Sequence, residues 1–299
     1  MIKTQLYQLS YGVYPETFLI EIGQTITSKL ADAHGFDENM RSAAGSPNPL
    51  AGPFVIPGAR PGKTLAITIE SLTPNRSRGW ASKDIHPNLR YPADRSVRYP
   101  KEYVDWEIDL SRKIAHPLGN YFTDRPELHI QPVLGCIGVA PGSHPQDRVA
   151  SIDSGPFGGN LDYPRIISGA TIYLPIFVQG AYLFMGDGHA IQGAGEITGN
   201  GIEVSCDINF SVRLVEMYTR CPRGEDATHI FSMGVAGTLD QACRIATVDM
   251  ETWLGSQFGM SQDQTGILLG QLVSYEIGNF VSRTYCVSCL MPKRHLPQH

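Results

Sequence analysis

Ile202-Glu203-Val204-Ser205-Cys206-Asp207-Ile208-Asn209-Phe210-Ser211-Val212-Arg213-Leu214 alternates apolar and polar side chains without a break. Successive side chains of a strand leave opposite faces, so a strict period of two marks a long strand with one buried face. No run of helical period competes with strands before residue 220. The expected fold is therefore mainly β, with a body like a β-sandwich or jelly roll and in part like a barrel. After Arg223-Gly224 the texture changes. Thr238-Leu239-Asp240-Gln241 reads as a helix start, and Leu239, Ala242, Ile245, Ala246, Trp253 and Leu254 recur at helical spacing up to Gly255. Ser261-Gln262-Asp263-Gln264 opens a shorter helix through Leu272. The expected organisation is residues 1–220 as a β-rich body carrying the site, and 221–299 as a smaller C-terminal α+β unit whose two helices pack on that body.

Upstream, Leu65, Ile67 and Ile69 alternate with Ala66, Thr68 and Glu70, and prolines and glycines recur from Ser46 to Gly62, which favours turns between short strands. Residues 81–127 are polar and of mixed charge, with weak periodicity apart from Tyr103 to Leu110, and read as excursions over the surface, covering a cleft or a subunit contact. Thr171 to Val178, a Gln179-Gly180 turn and Ala181 to Met185 read as a hairpin.

Composition excludes several classes of function. With 299 residues, 42% hydrophobic and 18% charged, the chain is long enough for a sizeable core and ordinary for a soluble protein. A net charge of −5 without long basic runs provides no footprint for nucleic acid or an anionic membrane. Met1 to Tyr14 lacks the pattern of a secretory signal, and no apolar run approaches a membrane span. The six cysteines are scattered, so a cytoplasmic, reducing setting is expected, with Cys286 and Cys289 as buried thiols in a short strand.

Two glycine-rich segments flank the expected hairpin: Gly155-Pro156-Phe157-Gly158-Gly159-Asn160-Leu161-Asp162 and Gly186-Asp187-Gly188-His189-Ala190, the latter continuing through Gln192 to Gly193-Ala194-Gly195-Glu196. Asp187 and His189 are two apart, so on extended backbone both leave one face and can converge on an ion or a substrate. A hydrogen-bonded Asp-His pair in a glycine-rich loop fits the same pattern, and both readings stand. These segments, with Gly199, Glu203, Asn48-Pro49-Leu50-Ala51-Gly52-Pro53 and Pro61-Gly62-Lys63, resemble the acetamidase/formamidase family from about Asp32 to Leu290. The resemblance supports Asp32 rather than His34 as a site residue. It departs at one position: the family reads Gly-Asp-Gly-Glu where this chain has Ala194, so one acidic side chain is missing.

The resemblance implies hydrolysis of a short aliphatic amide, of formamide or acetamide type, to carboxylate and ammonia, by a homodimer or higher homo-oligomer. From the residues themselves, no Gly-x-Ser-x-Gly elbow is present, and Cys136 sits mid-strand with no base beside it in sequence. What remains is a set of carboxylates and an imidazole, suited to a borderline divalent cation that activates water. Asp32, Asp162, Asp187 and His189 are the candidate ligands. Glu196, with Asp187 and His189, is the candidate catalytic group, acting as general base. Gly158, Gly159, Asn160 and Gln192 are the candidate substrate contacts, with Asn160 and nearby backbone N–H groups facing the oxyanion. Zinc is favoured, and calcium is the rival as a structural ion. His129 reads as a structural histidine. The alternative function is a non-catalytic jelly-roll module that binds calcium and a carbohydrate.

Overall fold

The computed structural model describes residues 6–91 and 102–297. The chain is mainly β, with 40% strand and 14% helix in several antiparallel sheets. Two large sheets dominate. The seven-stranded sheet runs in the order Tyr7–Gln8, Leu50–Val55, Leu183–His189, Val133–Val139, Gly158–Asn160, Ser154–Gly155, with Phe18–Leu19 beside Leu50–Val55. The eight-stranded sheet runs Ser274–Asn279, Tyr285–Pro292, His229–Ala236, Arg223–Glu225, Thr171–Pro175, Thr64–Pro74, Cys206–Val215, Ile26–Leu30. Both are open, and among the described residues no sheet closes into a barrel.

The sheets share one core. Leu50, Phe54, Ile137 and Phe184 from one lie in the same apolar cluster as Ile26, Ile67, Ile208 and Phe210 from the other. The rings of Phe54 and Phe210 meet edge to face at 5.1 Å. The alternation at the start of the sequence reading falls where it should: Cys206, Ile208, Phe210 and Val212 are buried, and their odd-numbered neighbours through Arg213 are half-buried or exposed. The strand begins at Cys206 rather than Ile202, because Glu203 is instead bridged to Trp80 and His189.

Two expectations are corrected. Thr171–Pro175 and Leu183–His189 do not form a hairpin; they belong to different sheets. Gly180, Ala181 and Tyr182 all have positive φ, so the chain turns a corner there and crosses from one sheet to the other. The polar stretch after residue 81 is not all surface loop. Tyr103–Asp109 and Ile114–Pro117 pair with Arg78–Ser82 and Leu128–His129 in a four-stranded sheet, while 92–101 lie outside the described residues. Hydrogen bonding runs on across residue 220, since Arg223–Glu225 pairs directly with Thr171–Pro175. The division at 220 marks where helices enter the sequence, not where a separate sheet begins.

The two helices, Leu239–Phe258 and Gln262–Leu272, cover the C-terminal strands. Thr238 caps the first by accepting from the Gln241 N–H, and Gly259 ends it in the left-handed conformation. Ser261 and Gln264 form the capping box expected for the second. Ala246, Met250, Trp253 and Leu254 pack on Ile230, Cys289 and Met291 of the sheet. Among the described residues no helix is long and apolar enough to cross a membrane.

Candidate active site

The strand Val133–Val139 is the axis of the site. Gly158–Asn160 pairs on one side of it and Leu183–His189 on the other, which brings the two glycine-rich segments together. Beyond Asn160 the chain folds over Gly135, whose carbonyl accepts from the N–H groups of Leu161 (3.0 Å) and Asp162 (3.1 Å). The carboxylates of Asp162 and Asp187 therefore flank Gly135 itself. A Cβ there would lie 2.6 Å from an oxygen of each. The backbone of Gly135 is one that any residue can adopt, so space rather than conformation requires the glycine. Gly135→Ala is expected to leave a folded protein destabilised by about 1–3 kcal/mol and to weaken divalent-cation binding at least about tenfold. Metal titration and thermal unfolding of the variant check both effects.

Around this axis sit four fully or nearly fully buried carboxyl groups, Asp162, Asp187, Glu196 and Glu203, and one buried imidazole, His189. Asp187 and His189 do converge, with Oδ1 3.5 Å from Nε2. On its far side His189 Nδ1 lies 2.7 Å from Gln192 Oε1. The amide of Gln192 is oriented by its Nε2, which donates to the Asp162 carbonyl at 2.5 Å. Gln192 Oε1 must then accept, Nδ1 must carry the proton, and a neutral His189 presents a bare lone pair at Nε2. That lone pair faces carboxylates. Glu203 Oε1 stands 2.9 Å away, yet Nε2 meets no hydrogen-bond geometry. Asp162 Oδ1, Asp187 Oδ1 and Glu203 Oε2 are also buried without a partner. Buried polar atoms are nearly always satisfied, so an imidazole nitrogen and three carboxylate oxygens left unpartnered together call for a cation or for added protons.

Donor atoms of Asp162, His189 and Glu196 lie within 4.8 Å of one another, as do those of Asp187, His189 and Glu203. His189 belongs to both groups. The remaining oxygens are anchored: Asn160 Nδ2 donates to Asp162 Oδ2, Asn279 Nδ2 donates to the same oxygen at 2.8 Å, and Asn48 Nδ2 donates to Asp187 Oδ2 at 2.9 Å. Each aspartate thus keeps one oxygen fixed and one available, the division by which supporting hydrogen bonds orient metal ligands.

Without a cation, burial drives these acids toward their neutral forms. It pushes the Asp162 carboxyl up to about 7, with Asp187 adding to the effect and His189 opposing it. Burial likewise raises Glu203 to about 8 against the pull of His189. Glu196 is held well above the usual carboxylate range by burial and then by Asp162. For His189, burial alone favours the neutral ring, but the carboxylates of Glu203 and Asp187 outweigh it and raise its pKa well above the ordinary value.

Other residues singled out from the sequence have different places. Asp32 lies outside both donor groups. Its Oδ1 accepts from the N–H groups of His34 (3.0 Å) and Phe36 (2.9 Å), and its Oδ2 from Arg76 Nη2 (2.5 Å) and Trp80 Nε1 (3.3 Å). With a guanidinium and three further donors upon it, this carboxylate is committed to holding the loop. Gly158 and Gly159 lie in their strand, where an added Cβ would run into the Ile137 carbonyl and the Asp153–Ser154 backbone, and neither lines the pocket. Gln192 sits behind His189. Asn160 reaches the pocket, but its amide joins Asp162, Asn48 and Cys136. Cys136 Sγ lies 2.9 Å from Asn160 Oδ1, and burial, with Asp187 and Asp162, raises its pKa well above normal, so it stays a thiol. Ala194 is exposed. His34 lines the pocket mouth, whereas His129 is exposed and away from it.

Glu203 is the residue the sequence reading missed. Its signals were an acidic side chain at the head of the alternating run and its place among the residues that resemble the family, and neither gave it a role. Its burial comes from paired backbone hydrogen bonds with Trp80, 2.8 and 3.2 Å, which turn it inward. In front of the carboxylates opens a pocket of about 300 Å³, lined on its inner side by Asn48, Asn160, Asp187, Glu196 and Glu203.

The sequence and the fold are similar to those of known proteins. The model of the acetamidase/formamidase family matches residues 147–227, the region that contains both glycine-rich segments. An acetamidase from Mycolicibacterium smegmatis is 29% identical over 217 residues, 56% of this chain and 53% of that protein. A formamidase from Methylophilus methylotrophus is 40% identical over 60 residues, 20% of this chain and 15% of that protein. The chain thus spans about half the length, or less, of the curated relatives it matches. Among solved structures, an acetamidase from Yersinia enterocolitica superposes with a TM-score of 0.84 at 29% identity, covering 98% of this chain and 90% of that one. An acetamidase from Bacillus halodurans shares the fold with a TM-score of 0.81 at 24% identity, covering 98% and 97%.

Proposed function

We propose that this chain, which matches the acetamidase/formamidase family model over residues 147–227, is an amidohydrolase of that family and hydrolyses a carboxamide to a carboxylate and ammonia with the help of a divalent cation. The observation that carries this reading is the set of four unpartnered buried atoms, Asp162 Oδ1, Asp187 Oδ1, His189 Nε2 and Glu203 Oε2. One imidazole nitrogen among carboxylate oxygens suits zinc better than calcium, which takes six to eight oxygen ligands. Such an ion, when bound, supplies Lewis acidity toward the amide carbonyl and lowers the pKa of water.

The chain's own groups do the rest. Gln192 fixes the tautomer of His189, and Asn48 and Asn279 fix the aspartates, so the donor set is oriented before substrate arrives. Glu196 borders the pocket beside Asp162 without belonging to the orphaned set. Its raised proton affinity suits a group that takes a proton from water and returns it to the departing nitrogen. The buried thiol of Cys136 takes no part as a nucleophile. The six free cysteines support a reducing, cytoplasmic setting, and the outward Tyr121 and Phe122 support assembly into a homo-oligomer.

Ammonia release from formamide, acetamide and larger amides, with and without chelator, tests the activity, and metal content of the purified protein tests the ion. Glu196→Gln is expected to keep the fold and the cation but to lower turnover by about 10²–10⁴-fold. An unchanged rate removes Glu196 from the mechanism.

A further inference from the structure

The pocket has two chemically different ends, and only one is used by the amide. Its buried end carries Asp187, Glu196 and Glu203; its outer wall carries His34, Trp80 and Tyr103. The three rings form one cluster. His34 and Trp80 are stacked with centroids 3.8 Å apart and planes 9° from parallel, and Tyr103 meets Trp80 at 4.9 Å and His34 at 5.5 Å, edge to face. Ile152 and Val281 add apolar surface.

This wall is preorganised and tied to the reacting end. Trp80 Nε1 donates to Asp32, and the Trp80 backbone exchanges both of its hydrogen bonds with Glu203, the carboxylate nearest His189 Nε2. Asp32 is in turn held by Arg76. The buried ion pair thus steadies an aromatic surface directly beside the carboxylates. Rigid rings of this kind bind a flat apolar group with little loss of their own freedom. Size points the same way. A pocket of about 300 Å³ reaches the lower end of the range of cavities for drug-sized ligands, whereas formamide and acetamide have only about three and four non-hydrogen atoms to place in it.

We propose that the substrate is a primary arylcarboxamide, an aromatic or heteroaromatic ring bearing the carboxamide directly. The amide enters among Asp187, Glu196 and Glu203 while the ring rests on the His34–Trp80–Tyr103 wall. The reaction adds one water: the C–N bond breaks, a C–O bond forms, and the nitrogen leaves as ammonia with the proton taken from water. No oxidant or further reactant is required. This inference rests on the amidohydrolase reading of the same site.

The test compares benzamide and nicotinamide with acetamide and formamide on the zinc-loaded protein. The expected result is a kcat/KM for the aromatic amides at least about tenfold above that for acetamide, the equivalent of one ring contact of about 1.4 kcal/mol. In Tyr103→Ala that ratio is expected to fall about five- to tenfold through a rise in KM for the aromatic amides. Hydrolysis of acetamide or formamide with the aromatic amides refused, or a ratio unmoved by Tyr103→Ala, overturns the inference and leaves the amidohydrolase reading intact. Ammonia from none of the amides overturns that reading and this inference together. Should Tyr103→Ala fail to fold, the ratio in the unaltered protein still decides.

Discussion

Replacement of His189 by alanine is expected to reduce bound divalent cation to background and to lower turnover by at least about 10⁴-fold, the scale seen when an indispensable member of a catalytic unit is removed, with the fold preserved. His189 contributes to both donor groups, so no arrangement of the remaining carboxylates replaces its nitrogen. The fold should survive because the acids left behind can take up protons: Asp162 and Glu203 already do so near pH 7 and 8 when no cation neutralises them. Metal analysis, near-ultraviolet circular dichroism and the amide assay together check this expectation. Retention of a full equivalent of metal by the variant would show that the ion sits elsewhere.

Asp249→Ala should be the most damaging substitution outside the pocket, costing about 3–5 kcal/mol. Arg223 is fully buried, and Asp249 on the first helix accepts from its Nε at 2.6 Å and its Nη2 at 3.0 Å. The ring of Trp253 lies 5.0 Å from the guanidinium carbon, and Ser232 donates to the same carboxylate at 2.7 Å. Removing Asp249 leaves a guanidinium in an apolar layer with no counter-charge. If that is the origin of the loss, the double variant Arg223→Met, Asp249→Ala should regain most of it, since replacing both members of a buried pair by apolar groups is often nearly neutral. Denaturant unfolding of the single and double variants measures both. Equal losses in the two would assign the effect to packing instead.

What could be read from the sequence was local. The period-two run before Leu214, the helix starts at Thr238 and Ser261, and the two glycine-rich segments all mark themselves by neighbours within a few positions. What could not be read depended on pairing across long separations. The turn at Gln179-Gly180 is plain, but nothing near it tells that Leu183–His189 joins another sheet; that follows from three consecutive positive φ values. Gly135 looks like any glycine in an apolar strand until Asp162 and Asp187 arrive on either side of it. Glu203 looked like a member of a solvated polar face, and Asp32 like a free ligand, because Trp80 and Arg76, which decide the surroundings of both, lie far from Glu203 and Asp32 in the chain.

The pairing of distant segments also sets a schedule for biosynthesis. Asp162 is held by Asn279, and the turn that carries Glu196 is fastened by the Gly195 N–H to the carbonyls of Ile277 and Gly278. Residues as far as Asn279 must therefore leave the ribosome before Asp162 and the Glu196 turn can be locked in position. Until residues 223–225 have emerged, the Thr171–Pro175 strand lacks its Arg223–Glu225 neighbour and presents an open edge. Chains interrupted between residues 203 and 277 would thus carry all four buried acids of the site without the segment that anchors Asp162 and the Glu196 turn.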